Sequence, residues 1–171
     1  MHIPNIEDLP KETIIKLARM YSRNWQSLDS LWFQNVEKTC GLETTAKIDL
    51  ENWQKQAVLE AKRLRETMEL NHGSLADLLT ALCFMSWQLT SPRFVIEEES
   101  PKSVIFSYRQ CAVQESRAKS CKPLFHCKQM KLTLLTGIAS VVAPKAQIQC
   151  LAAPPYAETS EYWCRWQISL A

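Results

Sequence analysis

Five of the seven cysteines lie between positions 111 and 164, each in its own setting: Arg109-Gln110-Cys111, Cys121, His126-Cys127-Lys128, Cys150 ahead of Pro154-Pro155, and Trp163-Cys164-Arg165-Trp166. A thiol can act as a nucleophile, as a soft metal ligand, or as a small apolar filler. A structural zinc site asks for four nitrogen or sulfur ligands, usually arranged as two close pairs. The nearest approach here is Cys121 with His126 and Cys127, and no second pair follows. His126 and Cys127 are also neighbours, which point to different sides of a strand or helix. The reading is therefore no bound metal and no cofactor. Cys127 is the strongest candidate nucleophile: it lies near a predicted helix start, between His126 and Lys128, and all three features lower a thiol pKa. Cys111 is the second candidate.

A nucleophilic thiol needs a base and a group to orient it. Of the three histidines, His2 lies at the terminus and His72 in a helix-ending turn, which leaves His126. Glu115, Glu158 and Glu161 are the carboxylates from which an orienting partner would be drawn. Arg109 ends a predicted strand beside Cys111, and with Lys128 and Arg165 it could hold a carboxylate-bearing ligand. Cys150 and Cys164 complete the candidate ligand contacts. Trp25, Trp32 and Trp53 fall on apolar helical faces and read as core, whereas Trp87, Trp163 and Trp166 sit beside the predicted sheet as core or pocket wall. Three glycines in the whole chain leave no phosphate-cradling loop or dinucleotide fingerprint.

These residues must be positioned by elements whose periods change midway. Ile14, Leu17, Ala18, Tyr21 and Trp25 recur at helical steps, and Leu28, Leu31, Trp32 and Val36 continue the rhythm after a break placed near Ser27. Gly41 ends that second helix. Ala46, Leu50, Trp53, Ala57, Ala61, Leu64 and Met68 define a third helix with one apolar stripe. Ser74, with Asp77 three residues on, caps a fourth, whose apolar circumference from Leu75 to Leu89 predicts a buried central helix. From Pro92 the pattern is that of strands. Phe94 to Glu98 and Val104 to Tyr108 form a hairpin across a turn of four to five residues, 111–119 and 127–142 are helices, and 147–152 and 162–170 are two further strands. In the last strand Tyr162, Cys164, Trp166 and Ile168 share one face.

The predicted fold class is α+β: a helical N-terminal half, then a ββ-αα-ββ unit whose four-stranded antiparallel sheet packs on helices. A length of 171 residues fits a single domain, 1–171, with a helical part at about 10–90 and a sheet-containing part at about 92–170. A net charge of +2 carries no footprint for nucleic acid or for an anionic membrane. The first ten residues lack an apolar stretch, no apolar run approaches about 18 residues, and an odd cysteine count fits reduced thiols, all consistent with a cytoplasmic protein. A tryptophan-rich helical face is compatible with a homodimer.

Taken in order, Trp32-Phe33-x-x-Val36-Glu37, Gly41, Asp49-x-x-x-Trp53, Ala61-Lys62-Arg63-Leu64, Arg109-x-Cys111-x-Val113-Gln114-x-x-Arg117, Phe125-x-Cys127-Lys128, Cys150 before Pro154-Pro155, and Trp163-Cys164-x-Trp166 resemble a family of prokaryotic cytosolic proteins known only as a domain of unknown function. The arrangement is more distantly similar to the L-2-amino-thiazoline-4-carboxylic acid hydrolase-like proteins. That second resemblance implies helices followed by a small cysteine-bearing sheet. The chain departs from the closer family's pattern at Ala153, where a cysteine is usual, at Tyr156, where an acid is usual, and at His126, where proline is usual. Two readings follow. One is a small-molecule binding module with a cysteine-lined pocket and Arg109 or Lys128 on a ligand carboxylate. The other is a hydrolase-type enzyme acting on a small amino-acid-like ring compound through Cys127 or Cys111. A metal-binding protein is a minor third. Binding ranks first because no base is compelling.

Overall fold

The computed structural model describes residues 5–89, 94–155 and 161–170. Its elements are helix α1 (Lys11–Thr67), helix α2 (Leu75–Phe84), strands β1 (Phe94–Ser100) and β2 (Ser103–Tyr108), helices α3 (Ala112–Lys119) and α4 (Lys128–Val142), and strands β3 (Ala146–Ala152) and β4 (Cys164–Leu170). The order is that of an α+β fold. Tyr156 and Glu158 lie outside the described residues.

Helix α1 is one run of 57 residues interrupted at Gly41, whose φ of 79° and ψ of 164° fall in a region that only glycine occupies readily. A Cβ at Gly41 would meet nothing within 4 Å, so the requirement is conformational and not steric. The two arms fold back on each other, bringing the Trp25 and Trp53 ring centroids to 5.2 Å. No break occurs near Ser27. Its hydroxyl donates to the Arg23 carbonyl one turn back at 3.0 Å, and the helix continues through it. The second arm buries Trp53, Ala57 and Ala61, as its stripe requires, but it also buries Asp49 and Glu60.

Helix α2 starts where Ser74 Oγ accepts the Asp77 amide at 3.0 Å, and it stops at Phe84 instead of running to Leu89. The reason is long-range. The Glu60 carboxylate takes the Ser86 amide and, at 3.1 Å, its hydroxyl, so Ser86 is held by α1 and not by another helical turn. The central place expected of α2 belongs to α4, which packs on α1, α2 and β3. Gly137 permits the close α1–α4 approach, since a Cβ there would stand 3.1 Å from the Ala57 Cβ.

The sheet is antiparallel in the order β1-β2-β4-β3. The β1–β2 turn is tighter than predicted, with Ser100 opposite Ser103 and only Pro101-Lys102 between them, and the register shifts between Ile96 and Glu98. Alternation along β4 holds as read: Cys164, Trp166 and Ile168 are buried on one face. They join Val104, Phe106 and Tyr108 of β2, and with Leu78, Leu82, Leu135 and Ile138 make the core.

Candidate functional site

A cavity of about 290 Å³ opens between the two arms of α1, the segment after α2, the end of β2, α3, and the start of α4. That is the lower end of the size range for small-molecule sites. The first arm of α1 supplies Trp25, Asp29, Phe33 and Glu37, each four residues from the last and so on one face. The second arm supplies Asp49 and Trp53, also one turn apart. Trp87 and Gln88 come from the non-helical segment that Glu60 holds, Tyr108 from β2, Cys111 from the head of α3, Cys127 and Lys131 from one face of α4, and Cys164 from β4.

Three tryptophans form a continuous wall. Trp53 lies 5.2 Å from Trp25 at 56° and 4.9 Å from Trp87 at 88°. At one end of that row stand Asp49 and Asp29. Burial, then the Asp29 charge, push the Asp49 carboxyl up to about 7, although the Trp53 indole N–H donates to it. Burial also raises Asp29. Beyond Trp87, at the other end, stands Lys131. Its ammonium donates to the Tyr108 hydroxyl at 2.9 Å and sits over the Tyr108 ring at 4.2 Å, with Trp87 at 6.0 Å. Burial pulls the Lys131 pKa down, but Tyr108 and the Cys164 and Cys111 thiols outweigh it, so the group is held charged above the ordinary lysine range. Gln88 is 2% exposed; its Nε2 donates to the Tyr108 hydroxyl at 2.9 Å, and its Oε1 has no partner among the described residues.

The polar groups beside α3 are completed within the chain. Buried Gln114 donates to the Phe125 carbonyl at 2.7 Å and accepts the Phe125 amide at 3.0 Å. Arg117 donates to the Pro123 carbonyl at 2.6 Å and pairs with Glu37 at 3.0 Å, while Lys122 reaches Glu37 at 3.3 Å. Burial would raise the Glu37 carboxyl, but Arg117 and Lys122 outweigh it and hold it below the ordinary value.

Of the seven residues expected at a site, the structure brings three together. Cys111, Cys127 and Cys164 line the cavity, and they lie close enough for each of the other two to raise Cys127. Cys150 borders Cys164 electrostatically but does not line the cavity. Arg109, His126 and Lys128 are exposed and outside the lining. Arg109 follows the end of β2 in an exposed bend, and its charge acts on Glu97 instead. The expected low-pKa thiolate at Cys127 is contradicted. Cys127 is the N-cap residue of α4, yet its side chain makes no cap bond, its basic neighbours point outward, and burial pushes its thiol up to about 12. Among the described residues no group of three His, Cys, Asp or Glu side chains could hold a metal ion.

Several cavity residues carried signals that the cysteines overshadowed. Lys131, Leu135, Ile138 and Val142 recur at helical steps, so a lysine at the first of these positions belongs to the apolar face. Asp49, Trp53, Ala57 and Ala61 are spaced by fours, which puts Asp49, and not Leu50, on the buried stripe. Trp53 is core, as expected, with Trp25 packed against it, and the two also wall the cavity with Trp87, whereas Trp166 is fully buried away from it.

Fold and site together describe an α+β protein with a partly open, tryptophan-walled cavity lined by acids and a lysine. The chain belongs to a family of unknown function, DUF6125, whose model matches residues 7–170. No curated protein matches it, and no solved structure does. No helix of the described residues is long and apolar enough to cross a membrane.

Proposed function

We propose that this protein binds a small carboxylate-bearing molecule in the cavity, with Lys131 receiving the carboxylate and Cys111, Cys127 and Cys164 forming part of the wall. One observation carries the reading: Lys131 is a charged ammonium inside the cavity and makes no salt bridge among the described residues. Lys131 is half-buried as a residue, and drawing its charge out of water without a counter-ion carries a desolvation cost. Tyr108 and the ring faces offset part of that cost, and a ligand carboxylate would offset the rest. The task first assigned to Arg109 and Lys128 thereby passes to a lysine three residues further along α4.

The test is a calorimetric titration with hexanoate and benzoate. Native protein is expected to bind at least one of them, and Lys131→Met to lose about tenfold or more in affinity. Equal binding by both proteins would refute the assignment.

A second reading, a hydrolase-type enzyme acting on a small amino-acid-like ring compound in the manner of L-2-amino-thiazoline-4-carboxylic acid hydrolase-like proteins, is favoured by Asp49. A buried carboxyl titrating at about 7 is poised for acid–base work at neutral pH. The raised Cys127 thiol weighs against a cysteine nucleophile, so in this reading Asp49 and not Cys127 does the chemistry. Turnover of such a compound with a pH–rate inflection near 7, absent in Asp49→Asn, would support it; no turnover would leave binding alone.

A further inference from the structure

We infer that the opposite end of the same cavity, formed by Asp29, Asp49, Trp25 and Trp53, receives an ammonium group, so that the ligand is an elongated zwitterion with its amine there and its carboxylate at Lys131. This deepens the carboxylate-binding reading and rests on it. Asp49 is 5% exposed and Asp29 half-buried, and neither forms an ion pair among the described residues. The cheapest partner for two buried acids would be the lysine in their own cavity. They do not pair: no salt bridge joins Lys131 to either acid, neither acid is among the charges that chiefly act on Lys131, and each end keeps to its own indole, Asp49 to Trp53 and Lys131 to Trp87.

Indole faces at 56° and 88° to one another give an incoming cation more than one π-surface, which is how aromatic cages hold alkylammonium groups. The Trp53 N–H fixes the Asp49 carboxylate at the edge of that cage. Gln88 lines the same cavity and is all but fully buried, with an acceptor, Oε1, that no group of the described residues satisfies. Its Nε2 is bonded to the Tyr108 hydroxyl that Lys131 also holds, so this acceptor stands at the lysine end and does not itself mark the ammonium site. The separation of the two ends sets the ligand's shape. An α-amino acid carries both charged groups on one carbon, whereas an ω-amino carboxylate sets them at the two ends of an apolar spacer that Trp53 and Trp87 can cover, and the latter is the shape inferred.

The experiment is a tryptophan-fluorescence titration of the full chain, native and Asp49→Asn, with 6-aminohexanoate, hexanoate and hexylamine. Asp29→Asn serves as a second variant, and thermal unfolding checks that each variant is folded. Native protein is expected to prefer 6-aminohexanoate over hexanoate by about tenfold or more, and either variant to erase that preference. Equal native affinity for 6-aminohexanoate and hexanoate would overturn the ammonium site and leave carboxylate binding standing. Binding of hexylamine that depends on Asp49, with no binding of either carboxylate, would overturn the carboxylate reading and keep the ammonium site. No binding of any of the three would overturn both.

Discussion

Gln114 and Arg117 on α3 and Asp49 and Lys131 across the cavity are all polar groups withdrawn from water, but their neighbours treat them differently. Gln114 has both ends of its amide bonded to Phe125, and Arg117 has a backbone carbonyl and a carboxylate. Asp49 has one indole N–H, Lys131 has a phenol and two ring faces, and neither has an opposite charge. Every buried polar group lowers stability unless its bonds are replaced. The α3 groups therefore belong to the architecture: they pin the 120–127 loop and tie it to the first arm of α1. The cavity groups lower the stability of the empty protein, and in the reading proposed above a ligand completes them.

The two sets should respond to substitution with opposite signs. The largest effect is expected at Arg117, where Arg117→Met leaves the half-buried Glu37 with only the exposed Lys122 and the Pro123 carbonyl without its donor, and should destabilise by about 3 kcal/mol, with Gln114→Leu following at about 2 kcal/mol; urea unfolding measures both. A stabilising outcome at either would break the distinction. Asp49→Asn should do the reverse and raise stability at pH 8 on the order of 2 kcal/mol, with little change at pH 4.

The sign of the pH dependence follows from the direction of each shift. Asp49 is raised from 3.8 to about 7, so the unfolded chain gives up this proton first, and its cost grows as pH climbs between those values. Glu37 is lowered, so its contribution is present above the ordinary glutamate pKa and is lost on acidification. Unfolding free energies at several pH values, native against Asp49→Asn and Glu37→Gln, would expose the two opposed slopes. The smallest effect concerns the thiols. At pH 8 iodoacetamide should modify exposed Cys40 and Cys121 and spare Cys127, read by peptide mass, because burial holds the Cys127 proton up to about 12.

Much of the fold is legible in the residues because the relevant physics is local. The stripe through Trp53, Ala57 and Ala61, the alternation of Cys164, Trp166 and Ile168, and the backbone freedom needed at Gly41 depend on neighbours within a few positions. The end of α2 is not legible in this way. Phe84 is the last helical residue because Glu60, far back in α1, captures Ser86, and no local pattern announces a bond across 26 positions. The site divides similarly. Cys111, Cys127 and Cys164 were marked by type and do meet, while Arg109, His126 and Lys128 were marked by proximity in sequence and face outward. A register of one residue on a strand, or of three on a helix, decides which of two cations enters the cavity. Periodicity alone does not make that choice, since Lys128 stands seven residues before Leu135 and Leu50 three before Trp53, both at helical steps.

The claim that the cavity's charges are kept for a ligand is tested most directly by the thermal midpoint of Lys131→Met, with and without saturating 6-aminohexanoate. Removing a half-buried ammonium that has no counter-ion should leave the midpoint of the empty protein equal to the native value or above it, and the ligand should raise the native midpoint but not the variant's. A variant midpoint several degrees below native, with the ligand shift intact, would make Lys131 part of the architecture and contradict the account.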